Sequence, residues 1–504
     1  MKYALTIITT ALMLVAHTQT LTPDWARALG NGTEVYTKDI AVDENGNSFL
    51  VGSFSGTDIN FALGNTTSTS IDAAGVNDAF IAKYNSSGEL QWVNTFGSAA
   101  ANERINAITL NSEGELLVVG FLGNDTGGSG LDLDPGAGTV TVVGQKDALV
   151  AKYDTDGNYL NHFVIGGENT GTQEFLDIAV NNGDSIYTVG YLGDPNATVA
   201  DMDPGTETKN IHANSTINIG MIGFYTPDFE FIYARRTSSN SGNQFSKVVV
   251  DSHNKAFTVL EWGMTEQRWD IAIEYEWSPT YEPAYGSRTA IGDQGYNVVN
   301  GQTVFIGRGK SSTILQITNT NWRKNIVGGE TNNANVIHDL IVTDDKLYAV
   351  GVLPKTVYVN TNMESITSIN GTHGFIMKTD LSNGANTEFA SISTTTTATD
   401  YVHSVDTAGS NVLIAGYWNG NPTLDLDPGS GSYTIGHTND GTYWAQYDAD
   451  LNYQEGGFLA SSDGNTTGMR EPFVKSLGND QYLLAGFQDG SAYYNDTISG
   501  PDVI

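Results

Sequence analysis

A chain of 504 residues with 57 Gly, 12 Pro, no Cys and 39% hydrophobic residues can bury a sizeable core. With 24 Tyr and 19 Phe it suits many short strands joined by tight turns, and excludes collagen and disorder. The balance of 23 Lys+Arg against 57 Asp+Glu gives a formal charge of -34, which repels phosphate backbones and anionic lipid. Nucleic acid and acidic membranes are thereby set aside, whereas divalent cations, basic proteins and neutral glycans stay compatible.

Met1 to Thr18 places Lys2 ahead of the apolar run ALTIITTALMLVA and a polar continuation, the shape of a secretory signal cleaved near Ala16 or Thr18. The run is too short for a transmembrane anchor. The expected organisation is therefore a signal peptide over 1–18 and one domain over 19–504, stabilised without disulfides, which a large repeat array can manage.

DWARAL at 24–29 reads as an isolated outer strand. A repeat follows. SFLVGSF (48–54), ELLVVGF (115–121), SIYTVGY (185–191), KAFTVLE (255–261), QTVFIGR (302–308), KLYAVGV (346–352), NVLIAGY (411–417) and QYLLAGF (481–487) align as the second strand of eight units. Their shared position holds Gly52, Gly120, Gly190, Leu260, Gly307, Gly351, Gly416 and Gly486; a glycine inside a strand marks a bulge or a close backbone approach. An alternating first strand precedes most of them, such as KDIAVD (38–43) or LDIAVN (176–181), and ends in a polar turn such as ENGN or SEGE. DAFIAKY (78–84), DALVAKY (147–153), GFIMKTD (374–380) and TYWAQYD (442–448) supply third strands, and ELQWVNTFG (89–97) a fourth. No stretch keeps a helical period.

Four antiparallel strands per unit, recurring every 45–70 residues or so, predict an all-β chain folded as a β-propeller of four-stranded blades. Eight units are read and seven remain possible. DWARAL is expected to close the ring by joining the last blade, whose TISGPDVI (497–504) stops where a third strand should begin.

These motifs resemble the secreted bacterial β-propeller repeat (SBBP-type) family, whose pattern is a D-x-x-G-N hairpin, a V-x-G-aromatic strand, a D-x-D-P-G loop and D-A-F-V-x-K-Y followed by a hairpin and Trp. Here they stand as DENGNSFLVGSF, LDLDPGAG and DAFIAKYNSSGELQW. Units one, two, three and seven match well, unit six partly, and the span Gln244 to Asn325 least. The resemblance implies an exported scaffold of the kind common in Bacteroidetes, in many relatives with a C-terminal sorting domain for type IX secretion, which is not read in these residues. It supplies no catalytic residues.

Candidate site residues fall into three groups. The acidic loops carry Asp132 and Asp134, Asp201 and Asp203, and Asp425 and Asp427; hard oxygens two residues apart could hold Ca²⁺. The set lacks the remaining ligands of a twelve-residue calcium loop, and Asp capping its own turn is the simpler expectation. KYDTDGN (152–158) has a similar look but the pattern of a hairpin. Asp39, Asp177 and Asp339 share one position on first strands, where they could ring an axial channel and gather a cation, or bond the backbone of neighbouring blades, the simpler expectation. Trp262, Trp269 and Trp277, near Glu274 and Glu276, offer a glycan platform or blade packing. His338 and His403, on adjacent first strands, read as core imidazoles.

No H-E-x-x-H, G-x-S-x-G or P-loop occurs. The expected function is a secreted or cell-surface scaffold without catalysis, with no nucleic-acid partner, acting as a monomer on an extracellular glycan or protein. The alternative is an extracellular glycoside hydrolase or lyase using axial carboxylates.

Overall fold

The computed structural model describes residues 35–62, 69–99, 101–124, 130–142, 145–166, 171–193, 199–212, 218–238, 242–263, 271–277, 289–292, 296–299, 302–305, 310–317, 323–328, 336–359, 364–382, 387–394, 399–419, 423–429, 431–436, 440–460, 469–478 and 481–488. The signal-like stretch, DWARAL, Gly307 and TISGPDVI lie outside them. All elements among the described residues are strands.

Blade one comprises Val35–Val42, Ser48–Phe54, Asp78–Tyr84 and Leu90–Phe96, paired antiparallel in that order. Blade two comprises Arg104–Leu110, Leu116–Asn124, Gln145–Tyr153 and Tyr159–Ile165. Blade three runs through Thr172–Val180, Ile186–Gly193, Ile219–Tyr225 and Phe231–Ser238, and blade six through Thr399–Ala408, Asn411–Asn419, Gly441–Tyr447 and Tyr453–Ala460. Of blade seven, Met469–Gly478 and Gln481–Gln488 are described.

The sheets form a ring rather than a line. Each inner strand touches the inner strand of the next blade, and that of blade seven touches that of blade one. The buried side chains divide accordingly into seven clusters among the described residues, one at each seam. Val119 and Phe163 of blade two meet Phe175 and Met221 of blade three, for instance. The closing seam packs Leu483 and Ala485 against Val35, Ile40 and Leu50. A four-stranded sheet has two apolar faces and dries both only between two neighbours, so burial itself drives ring formation.

The repeated glycine faces a β-bulge. Register slips between Thr37 and Asp39, Ile105 and Ala107, Phe175 and Asp177, and Val402 and Ser404, beside Gly52, Gly120, Gly190 and Gly416. A Cβ on Gly52 would lie 1.8 Å from the Tyr36 carbonyl oxygen, and one on Gly190 would lie 1.9 Å from that of Glu174. The extra residue stands outside the ladder register and bends the inner strand: Lys38, Asn106, His338 and His403 occupy that position.

The fifth unit read from the sequence is not a blade. Ala256–Gly263 pairs directly with Lys310–Gln316, which pairs with Arg323–Gly328, so these strands and Asn243–Val250 make blade four. Gln302–Phe305, expected as a second strand, pairs with Tyr296–Val299 inside the connection between two strands of blade four. A short apolar run ending near glycine resembles the repeat, but its pairing with Tyr296–Val299 keeps it off the ladder that joins Ala256–Gly263 to Lys310–Gln316. Blade five follows as Val336–Val342, Lys346–Val359, Glu364–Asp380 and Glu388–Ser391. The described residues thus give seven ring positions.

Candidate functional site

Inner strands have one edge without a ladder partner, so their N–H groups need acceptors from elsewhere. Aspartates of the preceding blade supply them. Asp39 Oδ2 accepts from Ile108 N at 2.9 Å, Asp177 Oδ2 from Val248 N at 2.7 Å, and Asp339 Oδ2 from Val405 N at 3.0 Å and Ser404 Oγ at 3.1 Å. Asp406, which no motif singled out, accepts from Ser476 N at 2.8 Å. The three predicted axial aspartates therefore sit on blades one, three and five, each bonded to the inner strand of the next blade.

Two lysines balance this ring. Burial raises the pKa of Asp39, against the pull of Lys247 and Lys475, and pushes that of Asp177 up to about 7. Burial alone would pull Lys247 down, but Asp177, Asp339, Asp39 and Glu261 hold its ammonium above the usual range. Lys475 behaves likewise under Asp406, Asp339 and Asp39. Charges from six blades thus act on one another around the axis. Among the described residues no three His, Asp or Glu side chains converge as a metal set.

Near this ring, at the bulges, rings and paired charges meet across the seams. Lys38 meets Glu471 at 3.3 Å across the closing seam. Arg104 Nε donates to Glu174 Oε1 at 2.7 Å, and Asn106 and Tyr191 add bonds to the same carboxylate at 2.8 and 2.6 Å. His338 and His403 stack with centroids 4.4 Å apart and planes 8° apart, beside the stacked Tyr401 and Tyr417.

The acidic loops share one geometry. Asp132 Oδ1 accepts from Asp134 N at 3.0 Å and Val140 N at 2.7 Å; Asp201 does so from Asp203 N at 3.1 Å and Lys209 N at 2.8 Å; Asp425 from Asp427 N at 3.1 Å and Tyr433 N at 2.9 Å. The second aspartate, Asp134, Asp203 or Asp427, accepts from Gly136, Gly205 or Gly429 N at 2.8 Å. Between the paired aspartates Leu133, Met202 and Leu426 are buried. In blade one Asn60 Oδ1 takes the Ala62 N–H at 2.8 Å and the Thr69 N–H at 3.3 Å, so a neutral amide does the work of Asp132. Asp154 of KYDTDGN accepts from Asp156 N at 2.9 Å and Asn158 N at 2.8 Å, the bonding of a hairpin turn.

The motif lysines of the third strands went unassigned in the sequence. Lys83 Nζ donates to Thr155 O at 2.8 Å, Lys152 Nζ to Pro227 O at 3.1 Å and Lys378 Nζ to Ala449 O at 3.1 Å, each reaching the outer hairpin of the next blade. Their recurrence near the end of the third strand, beside a tyrosine at Lys83 and Lys152, was the available signal. The backbones of Trp262 and Trp277 lie in strands facing Asn243 and Ala234. Their side chains, with those of Glu274 and Glu276 and the whole of Trp269, lie outside the described residues.

Fold and site together define a β-propeller built from a repeated four-stranded unit. Residues 24–60 match the family model described as SBBP, beta-propeller repeat. No curated protein matches the chain. Among solved structures, the tail fiber of Staphylococcus aureus phage P68 is similar over 86% of this chain and 95% of its own, at 11% identity and a TM-score of 0.15. No helix among the described residues is long and apolar enough to cross a membrane.

Proposed function

We propose that the protein is an exported, non-enzymatic β-propeller that binds an extracellular glycan or protein through the face carrying the bulges and the mouth of the axis. The observation that carries this reading is the engagement of the axial carboxylates. Asp39, Asp177 and Asp339 each hold a backbone N–H of the next blade, and a carboxylate so fixed is poorly placed to move a proton to a substrate. The aromatic and paired polar groups at the bulges suit recognition instead, since flat rings and bidentate pairs orient neutral ligands. Export fits the repeat match over residues 24–60 and the sequence of residues 1–18.

The rival reading, a carbohydrate-active enzyme, draws on Asp177, whose pKa of about 7 is in the range of a general acid. A glycan array run beside a hydrolysis screen separates the two. Binding without turnover is the expected result. Turnover that disappears in Asp177→Asn while the fold persists would establish the enzyme.

A further inference from the structure

The seam between blades five and six differs from the others in what meets across it. The bulge on each of these two inner strands leaves one residue outside the ladder register. At this seam both such side chains are imidazoles: His338 from blade five and His403 from blade six, stacked at 4.4 Å and 8°. His338 Nδ1 lies 2.7 Å from the Val402 carbonyl oxygen, which only a protonated Nδ1 can satisfy. With Nδ1 so engaged, His338 takes its next proton at Nε2, and protonation of both rings makes a stacked cationic pair.

We propose that this seam is an acid-sensitive joint of the ring, at which protonation of His338 and His403 forces the inner strands of blades five and six apart.

The surroundings do not absorb the added charge. Tyr401 and Tyr417 are neutral rings packed beside the pair. Asp339, on the same strand as His338, already spends both oxygens on Leu340 N, Val405 N and Ser404 Oγ. Glu471 of blade seven is paired with Lys38 of blade one, and that ammonium opposes a charge on His403. Lys247 of blade four opposes one on His338. Glu471 and Asp339 act in the other direction, but burial prevails and holds both imidazoles below their ordinary range, His403 more strongly because His338 adds to it. Deeper in the same seam His373 Nδ1 contacts Asp400 Oδ1 at 3.1 Å, and Asp400 Oδ2 accepts from Gly374 N at 2.7 Å, a second tie across these blades.

The sign follows from linkage. A histidine whose folded pKa is depressed contributes stability above its unfolded value of about 6.5, and that contribution is lost as pH falls toward the folded value. The loss should begin near pH 6.5 and be local.

Hydrogen exchange of the full chain, read by peptide at pH 7.5 and pH 5 with rates corrected for intrinsic pH dependence, tests this. Peptides covering 336–342 and 399–408 should lose protection about tenfold or more at pH 5, while those covering 35–42 and 104–110 keep theirs. His403→Phe keeps a flat ring without a titrating nitrogen and should hold protection at both pH values; His403→Gln serves if Phe does not fold. Equal loss at every seam, no loss at this one, or an acid response unchanged in the folded variant would each overturn the proposal.

Discussion

Blades two and four share an inner half and part company outside it. Both carry the bulge, between Ile105 and Ala107 in one and between Phe245 and Lys247 in the other. In blade two the connection between its second and third strands folds back as a small hairpin, Leu131–Asp132 against Thr141–Val142. In blade four the same connection leaves its own sheet, and Ile271–Trp277 lies along Phe231–Ser238, the outer strand of blade three. Blade five adds to this pattern, its second strand running on so that Val357–Val359 pairs with Ile326–Gly328 of blade four. Ring closure dictates the inner half, because seven inner strands must meet around one axis. The outer edges face no such demand, and those of blades three and four are paired by segments of the following blade.

The strongest way to break that comparison is at the bulge. Gly190→Ala would drive a Cβ to within 1.9 Å of the Glu174 carbonyl oxygen, backbone that cannot yield without moving the bulge. A loss of about 3 kcal/mol or more is expected, read as a lower urea midpoint. Blade four carries Leu260 at this register position, buried and opposite Phe245. Leu260→Ala should therefore cost through a cavity, about 2 to 4 kcal/mol, with no relief of crowding. If Gly190→Ala were silent, the bulge would not be what the glycine serves.

Asp177 offers a smaller effect with a sign of its own. Asp177→Ala strips the Val248 N–H of its acceptor at 2.7 Å and should cost about 2 kcal/mol. Asp177→Asn keeps an acceptor and removes the titration. The folded pKa of about 7 lies above the unfolded value, so the native state holds a proton that the unfolded chain has released between about pH 4 and 7. Stability from this group is full below about pH 4 and is lost as pH rises through 7. The melting temperature of the native chain, measured relative to Asp177→Asn, should thus fall from pH 5 to pH 8; a flat difference would place the carboxylate in water. This trend is opposite to that of the histidine seam, so the two can be separated in one pH series.

Much of the inner half was legible because its cues are local. Alternation, a glycine at a fixed place and polar turns each lie within a few residues, and they mark the strands, the bulge and the propeller. The partners were not legible, since the Ile108 N–H that Asp39 holds belongs to another repeat and no local pattern reports a contact across a seam. The same limit explains the misread fifth unit: pairing of Ala256–Gly263 with Lys310–Gln316 spans an insertion that itself contains strands. Among the acidic loops, attention to charge hid Asn60, whose bonds match those of Asp132 without any charge.

Lys152 tests the outer half. Its ammonium donates to Pro227 O at 3.1 Å, pairs with Glu115 at 3.0 Å and lies 5.5 Å from the centre of the Phe229 ring. Lys152→Met keeps the apolar stem and should lower stability by about 1 kcal/mol, with the loss confined to the seam between blades two and three in hydrogen exchange. In blade six the corresponding link is Gln446 Nε2 to Tyr482 OH at 2.8 Å, so an uncharged donor serves where the next blade offers a hydroxyl. A loss spread evenly over all seams would mean that the latch acts on the whole ring.

The smallest expected effect concerns the loops that looked most like a metal site. If Asp132 works by accepting the Asp134 and Val140 N–H groups, Asp132→Asn preserves the acceptor, as Asn60 does in blade one, and stability should change by less than about 0.5 kcal/mol. Asp132→Ala, which removes the acceptor, should cost more, about 1 kcal/mol. A bound calcium ion reverses that order of importance. Millimolar Ca²⁺ would then raise the melting temperature of the native chain, chelator would lower it, and Asp132→Asn would lose the response even though its turn bonds survive. The comparison of Asn with Ala, made with and without Ca²⁺, therefore distinguishes an oxygen needed for its lone pair toward the backbone from one needed for its charge.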